Sequence, residues 1–310
     1  MANERIIFLG TPEISSYLLE YMINNGFNIV GVVSQEDKLQ GRKMILTPSP
    51  VSKVAMKYNI PLHRPHKLNQ DYAFIEELKP DLLLTFAYGQ IISTKVLGLS
   101  KYKPLNIHAS ILPKYRGASP IQACLYNGDL VTGISLMEMV KALDAGDVYA
   151  LEKLDIDKND NYSTLQDKLK ELACNMVSKY LPLYFENKLI PTSQDESKVV
   201  FTHLISKEDE HLDLNKNPND FVNQIRSLAD IPGGYLIYND MKLKIYKASV
   251  YDNSTNGELG QIVIANKKEI VLQVNNGTVK LEILQKPGKN KMSNVDFYNG
   301  NNKFQGEILK

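Results

Sequence analysis

The strongest constraint on the fold is a series of short apolar runs separated by helix-length segments in the first half of the chain. Arg5-Ile6-Ile7-Phe8-Leu9 is unbroken and stops at Gly10-Thr11-Pro12. Pro12 and Glu13 suit the first turn of a helix reaching about Asn24, which Asn25-Gly26 ends. Asn28–Val33 reads as a second strand, Val51–Tyr58 as a helix, and Pro80 introduces a strand over Asp81–Thr85. Pro104–His108 is another central strand. Ile134, Leu136 and Met137–Met139 mark a strand running into a loop at Asp144, and Val148–Ile156 returns from it. Thr164–Phe185 is a long amphipathic helix with Ser163 as its expected N-cap. Runs apolar on both faces, with helices between, indicate an α/β domain. Its Rossmann-like, mostly parallel sheet would be covered by helices on both faces.

The pattern changes after a stretch rich in Pro, Thr and Ser. We expect three segments: a catalytic domain over 1–188, a linker over 189–205 and a second domain over 206–310. Beyond a short helix at Asp220–Leu228, five strand-like runs follow: Tyr235–Tyr238, Leu243–Val250, Gly260–Ala265, Ile270–Val274 and Val279–Leu284. Turn signals such as Asn239-Asp240 and Asn275-Asn276-Gly277 separate them. Five short strands suggest a small β-barrel of the oligonucleotide-binding type. At 310 residues the chain is long enough for both domains.

One constellation carries chemistry. Asn106 and His108 stand two residues apart on the Pro104–His108 strand, so both point to one face. The carboxyl end of a strand is where open α/β sheets place their sites. The chain then enters a loop holding Pro113, Gly117 and Pro120. Asp144 lies in the next loop, Leu143-Asp144-Ala145-Gly146-Asp147, where the spacing leaves Asp147 an equal candidate. An amide, an imidazole and a carboxylate can stabilise an oxyanion, move a proton and orient its carrier. Gly10-Thr11-Pro12 matches neither common phosphate-loop pattern and is read as a tight turn at the edge of the cleft.

The long polar stretch Ser34–Pro50, with Lys38, Arg42 and Lys43, is unusual inside a compact domain and therefore a functional candidate. Residues 206–310 hold 14 Lys and Arg against 13 Asp and Glu, so that region is not basic overall. Its cations gather locally at Lys280, Lys286, Lys289 and Lys291 around Pro287-Gly288, enough to grip phosphates. The net charge of +1 excludes a generally basic nucleic-acid binder. No apolar run is long enough for a membrane span. The first strand starts too early for a signal peptide, and Cys124 and Cys174 read as buried thiols. A cytoplasmic location is expected. No Cys/His cluster offers metal ligands.

Asn106–Ile121 resembles the signature of the 10-formyltetrahydrofolate-dependent formyltransferases, whose catalytic residues are an Asn, a His and an Asp in this order. The likeness runs nearly end to end. Phe8-Leu9-Gly10-Thr11-Pro12 resembles the family's first strand and turn, and Ala87-Tyr88-Gly89-Gln90-Ile91-Ile92 its folate-site segment. Gln35–Val51, with Gly41-Arg42 and Pro48-Ser49-Pro50-Val51, resembles a loop inserted in the tRNA-acting members. Lys247-Ala248-Ser249 and Gly288–Ser293 resemble their C-terminal barrel.

The resemblance implies formyl transfer from 10-formyltetrahydrofolate, as cosubstrate, to the α-amino group of methionine on initiator tRNA. It implies no metal and no membrane partner, and we expect a monomer. It makes Asn106, His108 and Asp144 catalytic. Phe86, Ala87, Tyr88, Gly89, Gln90, Ile91, Val140 and Leu143 would line the pterin pocket, with Ser110, Ile111, Leu112 and Pro113 as the loop that shapes it. Arg42 and Lys43, with Lys286, Lys289 and Lys291, would contact tRNA. Two departures are visible: Tyr115 and Leu214 stand where Trp is common, and the lysine-rich part of the inserted loop is reduced to Lys43-Met44-Ile45. Rival readings are a formyltransferase acting on a sugar amine or on glycinamide ribonucleotide, and a noncatalytic tRNA- or folate-binding protein.

Overall fold

A computed structural model describes residues 3–41 and 43–310. The chain divides into two compact units. The first holds Met1–Pro120, Val131–Asp155 and Gln166–Thr202; the second holds Ile121–Leu130, Ile156–Leu165 and His203–Lys310.

The strands of the first unit are β1 (Ile6–Gly10), β2 (Ile29–Val33), β3 (Lys38–Gln40), β4 (Ile45–Thr47), β5 (Leu62–His63), β6 (Leu82–Phe86), β7 (Leu105–His108), β8 (Lys114–Gly117), β9 (Val131–Glu138), β10 (Val148–Asp155) and β11 (Val200–Thr202). Seven form one sheet in the order β10-β9-β7-β6-β1-β2-β5. Pairing is parallel from β7 through β6, β1 and β2 to β5, whereas β9 runs antiparallel to both β7 and β10. Every residue of β1 and β6 is buried, as expected of central strands covered on both faces.

Helices α1 (Glu13–Asn24), α2 (Pro50–Lys57), α3 (Ala73–Leu78), α4 (Thr94–Leu97), α5 (Pro120–Tyr126) and α6 (Tyr162–Phe185) follow in chain order. Ser49 caps α2 by accepting the amide of Ser52 at 3.0 Å, with Pro50 in the first turn. The expected Ser163 cap is displaced. Asn161 accepts the Thr164 amide and Thr164 Oγ1 accepts the Asn161 amide, both at 3.0 Å, so the helix starts at Tyr162. The stretch read as a polar loop, Ser34–Pro50, contains the β3–β4 hairpin, whose strands have three residues each, too short for a periodic signal.

In the second unit, α7 (Pro218–Leu228) begins at Asn217, whose side chain accepts the Asp220 amide at 3.0 Å. Strands β12 (Gly234–Tyr238), β13 (Met241–Asp252), β14 (Ile262–Ala265), β15 (Ile270–Val274), β16 (Gly277–Gln285) and β17 (Met292–Ser293) precede α8 (Asn294–Asn299). The antiparallel order is β12-β13-β16-β15-β14, with β17 beside β16. Asn239 and Asp240 both have positive φ and close a two-residue hairpin between Tyr238 and Met241.

The last five residues join the outer edges of β14 and β12. On the β14 side, Ile262 donates to Glu307 O (2.8 Å), and Gly306 and Leu309 donate to Ile262 O (2.9 Å) and Gly260 O (2.8 Å). On the β12 side, Lys310 donates to Ile237 O at 3.0 Å and Ile237 donates back. The sheet thereby closes on itself, around a core that includes Phe221, Leu236, Ile245, Leu281, Phe297 and Phe304.

Candidate active site

The chain leaves β1 toward β2 and β5, then returns to place β6 on the other side of β1. That reversal opens a crevice at the carboxyl ends of β1 and β6, next to β7. Gly10 closes β1 because nothing larger fits: a Cβ there would lie 2.8 Å from Ser15 Cβ and 3.0 Å from the Phe86 carbonyl.

The expected folate segment divides in two. Phe86 and Tyr88 are buried, and Tyr88 packs among Leu9, Val33 and Leu83. Burial pushes the Tyr88 hydroxyl well above its usual range, and it has no hydrogen-bond partner among the described residues. The Phe86 carbonyl accepts from Ser15 Oγ, and the Tyr88 carbonyl accepts from Thr11 Oγ1 (2.8 Å) and Gln35 Nε2 (3.0 Å). Ala87 and Gly89 take positive φ and are exposed, as is Ile91. Gln90 accepts the Leu68 amide at 3.0 Å. A cavity of about 590 Å³ runs along Gly89, Gln90 and Ile91, and also touches Gln35, His66 and Asn69. Phe86 and Tyr88 therefore anchor the segment, while Ala87, Gly89 and Ile91 present it.

β7 carries Asn106 and His108. His108 is 6% exposed, and its Nε2 donates to the Tyr115 carbonyl at 2.8 Å. Its Nδ1 lies 3.7 Å from Asp144 Oδ2. The structure thus distinguishes the two aspartates: Asp144, not Asp147, faces the imidazole. Both ring nitrogens face acceptors, and each is placed to act as an N–H donor. Among the described residues the Asn106 carboxamide has no hydrogen-bond partner. Free amide donors beside an imidazole can hold a developing oxyanion.

Two loops hold this arrangement. Ser110, Ile111, Leu112 and Pro113 are pinned by Ser135, whose Oγ donates to Ser110 O (2.7 Å) and accepts from Leu112 N (3.2 Å). The Asp144 loop holds Asp144 at φ 47°, a conformation rare outside glycine. Gly146 lets that loop lie against β9, since a Cβ there would sit 2.1 Å from Glu138 O. Val140 and Leu143, at the loop's outer side, are exposed.

Sequence reasoning missed two further side chains. Gln194 Nε2 donates to the carbonyls of Asp144 (2.8 Å) and Gly146 (2.7 Å). Buried Arg116 donates to Gln194 Oε1 at 3.1 Å and forks onto the Glu196 carboxylate, which it holds below the usual carboxylate range. Arg116 adjoins the site loop, a signal available in the sequence, whereas nothing local marks Gln194.

Of the candidate tRNA contacts, Arg42 lies outside the described residues and Lys43 is exposed. Lys286 bonds Asn301 and covers the Phe297 ring. Lys291 pairs with Asp230 and lies over Tyr246. Lys289 is exposed, with no side-chain partner among the described residues. No group of His, Cys, Asp and Glu among those residues is placed to hold a metal. None of the described helices is long and apolar enough to cross a membrane.

Comparison with known proteins decides the family. The Formyl transferase family matches residues 4–181, and Formyl transferase, C-terminal domain, matches 204–302. The methionyl-tRNA formyltransferase of Lactobacillus johnsonii is 40% identical over 299 residues, covering 95% of both chains. That of Malacoplasma penetrans is 38% identical over 309 residues, covering 99% of this chain and 97% of the relative. The chain belongs to the methionyl-tRNA formyltransferase family. Solved structures agree on the fold. A sugar 3N-formyl transferase superposes with a TM-score of 0.68 at 20% identity, covering 94% of this chain and all of that one. An N-formyltransferase from Helicobacter canadensis gives 0.68 at 19% identity, covering 91% and 98%. The formyl donor of the methionyl-tRNA formyltransferase family is 10-formyltetrahydrofolate.

Proposed function

We propose that the chain transfers the formyl group of 10-formyltetrahydrofolate to the α-amino group of methionine on initiator tRNA, acting as a cytoplasmic monomer. The end-to-end likeness to relatives of that name carries the reading. The free Asn106 carboxamide beside His108 supports the assignment of the reacting centre.

When bound, the folate supplies an activated formyl carbon. The acceptor needs no strong base, because an α-amino group titrates near pH 8, roughly, and is partly neutral at pH 7. Asn106 donates to the oxygen that gains charge as the amine adds. Asp144 keeps the imidazole oriented and offsets its charge. His108 takes the proton that the amine loses on adding and passes it to the folate nitrogen, whose bond to the formyl carbon breaks as the new amide forms. The presented backbone of Ala87, Gly89 and Ile91, together with Val140 and Leu143, would receive the pterin, and Ser110–Pro113 would shape its pocket. Of the candidate tRNA contacts, Lys43 and Lys289 are exposed and would meet tRNA phosphates. In this division of labour, 1–188 does the chemistry and 206–310 holds tRNA across the linker 189–205.

The test offers the protein 10-formyltetrahydrofolate with methionine-charged initiator tRNA and, separately, with a nucleotide amino sugar. Formyl-methionine from the first mixture alone is the expected result. Formylation of the sugar alone would overturn the acceptor, and no transfer to either would overturn the activity.

A further inference from the structure

The stretch between α6 and the second unit reads as a connector, yet Thr192–Thr202 is bonded along its length to both loops of the site. Thr192 and Val148 exchange backbone hydrogen bonds of 2.9 Å. Gln194 then spans the carbonyls of Asp144 and Gly146, and Glu196 receives the Arg116 fork. β11 finishes the run in register with β8, which begins one residue before Tyr115, the His108 partner. A single amide group thus holds two carbonyls of the loop that keeps Asp144 in a left-handed conformation. A side chain from β8 grips that same amide.

We propose that Gln194 is a positioning residue that acts through Asp144, and that Arg116 and Glu196 hold Gln194 in place. The proposal rests on the reading of Asp144 as the residue that orients His108. Besides facing His108, Asp144 is held at two points: its carboxylate accepts the Gly117 amide at 2.8 Å, and its backbone carbonyl accepts from Gln194. The first fixes the carboxylate and the second fixes the backbone. Without Gln194, the strained φ at Asp144 loses the bond that offsets it, and the carboxylate moves off His108 Nδ1. Arg116 suits the supporting role, because its planar guanidinium can meet an amide oxygen and a carboxylate together, whereas a lysine ammonium has no such fork.

A double-mutant cycle on the full chain tests this, with kcat and the KM for each substrate measured for wild type, Gln194→Ala, Asp144→Ala and the pair. Gln194→Ala should lower kcat roughly tenfold or more, as expected when two neutral hydrogen bonds holding a reacting group are lost. KM for the folate should be unchanged. The pair should be no slower than Asp144→Ala alone, because Gln194 then has nothing left to position. A loss that multiplies in the pair, or near-normal kcat in Gln194→Ala, overturns the proposal. Glu196→Ala removes an exposed carboxylate, so it serves if Gln194→Ala does not fold. A loss confined to the Asp144 background supports the positioning role; an equal loss in both backgrounds, or none, contradicts it. Full activity in Asp144→Ala would instead overturn the reading of the site, and this proposal with it.

Discussion

Asp144 Oδ2 stands 3.7 Å from His108 Nδ1, while its shorter bond, 2.8 Å, goes to the Gly117 amide. Substrate-free catalytic contacts are often long and tighten when the reacting complex forms. Asp144→Asn keeps an oxygen for Gly117 and removes the charge facing His108. Steady-state formylation should show kcat lowered about 100-fold or more, the usual range for a lost acid–base partner. The thermal midpoint should stay at the wild-type value.

Gly10→Ala tests the crevice floor. The added methyl meets the Phe8 ring and Ser15 Cβ at 2.8 Å, and the Phe86 carbonyl cannot retreat without disturbing β6. Overpacking of this kind costs typically about 1–3 kcal/mol. A denaturant titration should show that loss with the m-value unchanged.

Removal of residues 306–310 should loosen the closure of the second unit's sheet, since their backbone bonds to both β12 and β14. It also withdraws Leu309, 1% exposed, from the core. Limited proteolysis should cut 203–305 much faster than in the full chain; equal rates would mean the closure contributes little.

How much could be read beforehand depended on range. Asn106 and His108 were visible because a strand sets their spacing locally. The Asn239-Asp240 hairpin was visible because its turn chemistry is local too. The antiparallel direction of β9 was not, since pairing partners lie outside any window. Gln194 was hidden for the same reason: its bonds to Asp144 and Gly146 span some fifty residues. The closing segment 306–310 has no alternating pattern, and its pairing comes from its position between two edges. The resemblance assigns the whole 86–91 segment to the pterin pocket, whereas the Tyr88 ring packs in the core.

The three lysines near Pro287 should separate by partner. Lys289→Ala should weaken tRNA binding and reduce the salt dependence by about one counterion. Lys286→Ala and Lys291→Ala remove cations already engaged with Asn301 and Asp230, so each should change that slope less. Affinity measured across a salt series checks the order.

The most direct measurement is single-turnover formylation of methionine-charged initiator tRNA by wild type and Asn106→Ala, both saturated with 10-formyltetrahydrofolate. Among the described residues the Asn106 carboxamide has no partner whose loss would confuse the result. Loss of one oxyanion donor typically lowers the rate on the order of 100- to 1000-fold. Wild type should form formyl-methionine, and the variant should be slower by that factor with unchanged tRNA affinity and melting. A variant within a few-fold of wild type would contradict the account.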